Sequence, residues 1–141
     1  MFGPTLAEAN RIIATAFECA TRLDLKPISV AVLDPGGHLI AFQRQDDASM
    51  LRFEIALGKA YGALAIGVSS REVEKIAVAR PHLMLGLSGV SGGKIVPVSG
   101  GVLMRSNNQV VGAVGVTGDT SDNDEACAVA GIESIGFAAQ R

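Results

Sequence analysis

A chain of 141 residues can bury a core without disulfides or metals, and by the usual length relation it forms one domain, residues 1–141. Its composition is 48% hydrophobic and 18% charged, against roughly 25% charged in ordinary soluble domains, and its mean hydropathy is +0.35, so apolar surface is expected to be covered in a homo-oligomer. A net charge of −2 with dispersed basic residues excludes nucleic acid as a general partner. No stretch reaches the roughly 18 apolar residues of a membrane span, and the start MFGPTLAEAN lacks the basic and apolar segments of a secretion leader, so no membrane association and a cytoplasmic location are expected.

In chain order, Thr5 with Glu8 predicts a capping box, and Leu6, Ala9, Ile13, Ala16, Ala20 and Leu23 recur at helical steps up to Asp24. Lys26 precedes Pro27 and is extended, which ends that helix. Ile28 to Leu33 and His38 to Arg44 are apolar strands joined by Asp34-Pro35-Gly36-Gly37, a hairpin whose first strand is apolar enough to be buried on both faces. From Ala48 to Val68 the spacing is helical, with Ser49 as cap and Leu51, Ile55, Gly58, Tyr61 and Ala65 on one face. Glycine in a helix interior costs about 1 kcal/mol against alanine, so Gly58 and Gly62 imply a close neighbour.

Ser69 and Glu72 open a shorter helix from about Ser70 to Ala79, stopped by Arg80-Pro81. Pro81 to Gly93, apolar but rich in glycine and serine, is expected to be a loop or lid. Lys94 to Val98, Gly101 to Arg105 and Gln109 to Thr117 are expected strands, the last two joined at Ser106-Asn107-Asn108. A last helix begins near Ser121, where Asp122, Asp124 and Glu125 suit the positive end of its dipole, and runs through Phe137. This order describes an α+β fold with a five-stranded antiparallel sheet flanked by helices.

Candidate chemistry gathers at the exit of the hairpin, where Arg44, Asp46, Asp47 and Arg52 arrive together in a charge-poor chain. The aspartates can move protons, attract a cation or complement the following helix, and the arginines can hold a carboxylate. His38, after Gly-Gly at the turn, is free to ligate or titrate, and His82 follows Pro81 without further context. Lys59 and Tyr61 are proton carriers if they face a cleft, although a lysine more commonly snorkels. Cys19 and Cys127 have no CxxC spacing and suit reduced, buried thiols. No paired Cys/His spacing marks a zinc site. The glycines of Gly112-Ala-Val-Gly115-Val-Thr-Gly118 fit tight packing better than nucleotide binding, since the acidic residues that follow repel phosphate.

The hairpin VAVLDPGGHLIAFQRQDDA, the helix segment GKAYGALA and the finish GGVLMRSNNQVVGAVGVTGDTSDNDEACA together resemble the GlcG/HbpS-like family. The resemblance spans nearly the whole chain and implies a profilin-like fold in homo-oligomers. It implies an accessory protein of a catabolic pathway that binds a small ligand, a tetrapyrrole such as haem or a corrinoid, or an organic acid. Some haem-binding relatives use a histidine of the first helix, where this chain offers only Cys19. The resemblance locates the ligand near the hairpin exit and the Arg44 to Lys59 segment, and the residue reading above adds His38, Asp46 and Arg52 as expected binding residues. The alternative is a tautomerase, isomerase or lyase acting on a small carboxylate, with Arg44 or Arg52 holding it and Asp47, His38 or Lys59 moving a proton.

Overall fold

Two hairpins meet along β1 (Ser29–Leu33), whose five residues are all buried, and so organise the sheet. In this computed structural model, which describes residues 3–141, β1 pairs antiparallel with β2 (Leu39–Arg44) on one side and with β4 (Gln109–Thr117) on the other. Met1 and Phe2, the first residues of the stretch read for a leader, lie outside the described residues. β4 pairs with β3 (Gly101–Ser106), and β3 with β5 (Ala138–Gln140), giving the antiparallel order β2-β1-β4-β3-β5. The fold is α+β, one five-stranded antiparallel sheet with helices on it.

The period-two alternation of strands divides the core. Val30, Val32, Val114 and Val116 point to one face and bury with Ile12, Ile13 and Ala16 of α1 (Leu6–Arg22) and Cys127, Ala128 and Ile132 of α5 (Ser121–Ser134). Leu33, Leu103 and Ala113 point to the other face and meet Ala60 and Ala63 of α2 (Arg52–Ile66). Behind α2, Val73 of α3 (Ser70–Ala79) and Met84 of α4 (Pro81–Val90) form a smaller cluster with Ile95.

Local signals explain most boundaries. The Thr5 and Glu8 capping box is formed, with the Glu8 amide donating to Thr5 Oγ1 at 3.1 Å and the Thr5 amide to Glu8 Oε1 at 2.9 Å. Thr120 caps α5 by accepting from the Asn123 amide. The expected cap at Ser49 does not form: α2 starts at Arg52 after Leu51, with no side-chain cap. Ser69 precedes α3 as expected, yet its hydroxyl is buried without a partner.

Three expectations need correction. Pro81 to Val90 is a helix, because Pro81 at its first turn needs no amide partner and the apolar run that follows outweighs its two glycines. Lys94 to Val98 is not a strand: the Val96 amide bonds to the Gly58 carbonyl of α2, so this segment lies against a helix instead of the sheet. The fifth strand is Ala138–Gln140, beyond Gly136 with φ 83°, where the last helix was expected to continue. Three residues are too few to show a strand period in sequence.

Candidate ligand-binding site

A cavity of about 560 Å³ opens between α2, the tip of the first hairpin and the segment before β3. Leu51, the N-cap of α2, and Ile55, Gly58 and Tyr61 within it recur at helical steps, which places them on the one face that lines it. Leu39 and Gly37 close the hairpin side, and Gly93, Lys94 and Val96 the third side. Gly58 is required here: a methyl group on it would collide with the Val96 side chain, so only glycine lets that segment lie on the helix. Gly37, at φ 84°, turns the hairpin over the Tyr61 ring. The walls are mainly aliphatic, and the polar groups are Tyr61, Glu54 and Lys94, whose ammonium stands 5.5 Å from the Tyr61 ring centroid. Apolar walls with a few placed polar groups are the usual make-up of a small-molecule site of roughly 300–1,000 Å³.

On the sheet-facing side of α2 the chemistry is different. Lys59 is buried, and its Nζ donates to the Val116 carbonyl at 2.9 Å and to Asp124 Oδ2 at 3.3 Å. Burial pulls the Lys59 ammonium down and pushes the Asp124 carboxyl up, and the opposite charge of each counters both shifts. The second Asp124 oxygen accepts from the Asp119 amide, so the carboxylate joins the turn before α5 to α2. Two turns back, Arg52 Nη1 donates to Thr117 Oγ1 at 2.8 Å. Arg71 of α3 bonds Glu125 and Asp122, which hold its guanidinium above its ordinary pKa. Glu74 accepts from the Ser99 amide and hydroxyl.

The residues singled out in sequence are distributed over several places. Arg52 and Lys59 share the sheet-facing side of α2. Arg44 stands exposed on the edge strand and borders, with Asp46, a shallow depression beside Leu25 and Pro27. Asp47 is exposed in the following turn at φ 69°. His38 is exposed at the hairpin tip with Nδ1 3.3 Å from Asp34 Oδ1, between two residues that line the cavity. His82 is exposed at the start of α4. Cys19 and Cys127 are buried among the residues of α1 and α5, where burial, and then the bond with Cys19, push the Cys127 thiol up. Lys94, Ser29 and Thr117 were not singled out, because each acquires its setting only through the register of the sheet or the path of a loop.

The family described as haem degrading protein HbpS-like matches residues 5–133. The chain belongs to the HbpS-like family. It is 32% identical over 129 residues to a 15.0 kDa protein of the dhaT-dhaS intergenic region of Citrobacter freundii, covering 92% of this chain and 89% of that protein. It is 26% identical over 128 residues to the corrinoid adenosyltransferase PduO of Salmonella typhimurium, covering 91% of this chain but only 38% of that enzyme. Among solved structures, the PduOC:haem complex superposes with a TM-score of 0.86 at 24% identity over 99% of both chains, which shows that the HbpS-like fold is shared. No helix among the described residues is long and apolar enough to cross a membrane.

Proposed function

We propose that this HbpS-like chain is a cytoplasmic, homo-oligomeric accessory protein of a catabolic pathway, and that its cavity takes a flat, largely apolar ligand of the tetrapyrrole class, haem or a corrinoid. The observation that carries this reading is the cavity of about 560 Å³ with aliphatic walls, a tyrosine and a lysine. The family description and a haem complex of the same fold favour that class of ligand.

The residues present fit such a group. A tyrosine phenol is an established type of axial ligand for haem iron, and Tyr61 lines the cavity. Lys94, exposed at the rim, can pair with a peripheral carboxylate. The α1 helix supplies no such ligand, since its one thiol, Cys19, is buried in the core cluster with Cys127. Haem, when bound, supplies a redox-active iron. The protein's part is to exclude water with Leu39, Ile55, Leu57 and Val96 and to present one oxygen donor. Leu39, Met50 and Leu51, exposed beside the cavity, are apolar surface for a second copy to cover. The acid–base enzyme reading has less support, because Arg44 and Asp47 are exposed outside the core while Lys59 is buried against Asp124.

Titration with haem, followed by absorbance, tests the proposal. A saturable Soret shift at one haem per chain is expected, weakened at least tenfold by Tyr61→Phe and unchanged by His38→Ala. Absence of a shift, or a shift that Tyr61→Phe leaves intact, overturns it.

A further inference from the structure

We propose that Arg52, Thr117 and Ser29 form a subsite for a small carboxylate at the first turn of α2, with Arg44 at its rim. The inference is independent of the tetrapyrrole reading, because Leu51, Gly58 and Tyr61 face the cavity whereas Arg52 and Lys59 make their bonds toward the sheet.

The sheet register builds the floor. Ser29 of β1 lies directly opposite Arg44 of β2 on one side and Thr117 of β4 on the other. Directly opposed residues share a face, with Cβ atoms about 5 Å apart. The three side chains therefore stand in a row beneath the start of α2. Ser29 is fully buried, and its Oγ has no hydrogen-bond partner. A buried hydroxyl left unpaired is costly, and this one lies beside the Thr117 hydroxyl that anchors Arg52.

Charge points to an anion. Neither Arg44 nor Arg52 has a carboxylate within ion-pair distance among the described residues. The nearby charge of Lys59 is already countered by Asp124, so two guanidinium groups remain uncompensated. The first turn of α2 has no side-chain cap and its dipole adds to the same sign, while the one acidic residue of that turn, Glu54, lines the cavity and makes no ion pair with either arginine.

Hydrogen-bond chemistry narrows the class. Thr117 Oγ1 accepts from Arg52, which leaves the threonine proton to donate, and the Ser29 hydroxyl is a second donor. Two hydroxyl donors and a guanidinium fork match a planar carboxylate. Exposure falls from Arg44 through half-buried Arg52 to buried Ser29, so an anion at the Ser29 hydroxyl requires the Arg52 side chain to move aside.

Calorimetric titration of the full chain with acetate, malonate and inorganic phosphate in turn tests the site. Saturable binding of acetate and malonate is expected, with phosphate at least tenfold weaker. Arg52→Gln should weaken malonate at least tenfold, and Arg80→Gln should leave it unchanged. Ser29→Ala should weaken malonate severalfold while the melting temperature holds or rises, a separation that a purely structural serine would not give. It also keeps the test decisive should Arg52→Gln fail to fold. No saturation by either carboxylate, phosphate binding as tight as malonate, or unchanged affinity in Ser29→Ala overturns the subsite. A haem titration repeated in saturating malonate separates the two proposals, since loss of malonate binding with an intact Soret shift leaves the cavity reading standing.

Discussion

The two faces of the sheet are made of different material. Against α1 and α5 the strands present Val30, Val32, Val114 and Val116, met by Ile12, Ile13 and Ile132, all fully buried. Burying each such side chain contributes about 1.5–3 kcal/mol. Against α2 the same strands present Ser29, Ala31, Gly115 and Thr117, and α2 replies with alanines, glycines, Lys59 and Arg52. A methyl group on Gly115 would collide with the Ala56 carbonyl, so helix and sheet meet there backbone to backbone. The first face holds the molecule together by volume. The second gives up volume for close approach, and it keeps polar groups in positions where only a partner makes them tolerable.

The largest expected effect breaks this division at its buried bridge. The Lys59 and Asp124 pair ties the α2 layer to α5, both side chains being at most 3% exposed. Removing one partner leaves a buried charge, so Lys59→Met or Asp124→Leu alone should cost about 3–5 kcal/mol in urea unfolding. The double substitution should recover most of that loss. If both single variants unfold like the parent chain, the pair is not the bridge described.

A smaller effect compares glycines of two helices. Gly58→Ala pushes against Val96 and should destabilise by about 1–3 kcal/mol while narrowing the cavity. Gly86 of α4 has nothing near its added carbon, and Gly86→Ala should stabilise by about 1 kcal/mol. Thermal melts of the two variants shifting the same way would contradict the close-approach account of α2.

These contrasts also mark how far sequence reasoning reached. Local signals located α1, α3 and the two hairpins, and the Thr5 and Glu8 capping box formed as read, whereas the one expected from Ser69 and Glu72 did not. Glycine inside an apolar helix correctly announced the close neighbour of Gly58, but not that the neighbour was Val96, expected in a strand. The run Lys94 to Val98 has strand composition, and the sheet edge it would have needed is taken by Ala138–Gln140. Functional groups were harder to read. Arg52 was noticed among the charges at the hairpin exit and Lys59 as a proton carrier facing a cleft, yet Lys59 is buried against Asp124, 65 positions later. Ser29 carries no signal within a run of apolar residues, and its position beside Thr117 exists only in the register of β1 and β4.

Most directly, the division of labour between the faces can be tested by NMR during a ferric haem titration, in which the paramagnetic iron broadens nearby amide signals. The account predicts broadening at Gly37, Leu39, Gly58, Tyr61 and Val96, the lining of the cavity, with Ile12, Ala16 and Ile132 unaffected. Broadening centred on α1 and α5, with the cavity amides unchanged, would contradict it.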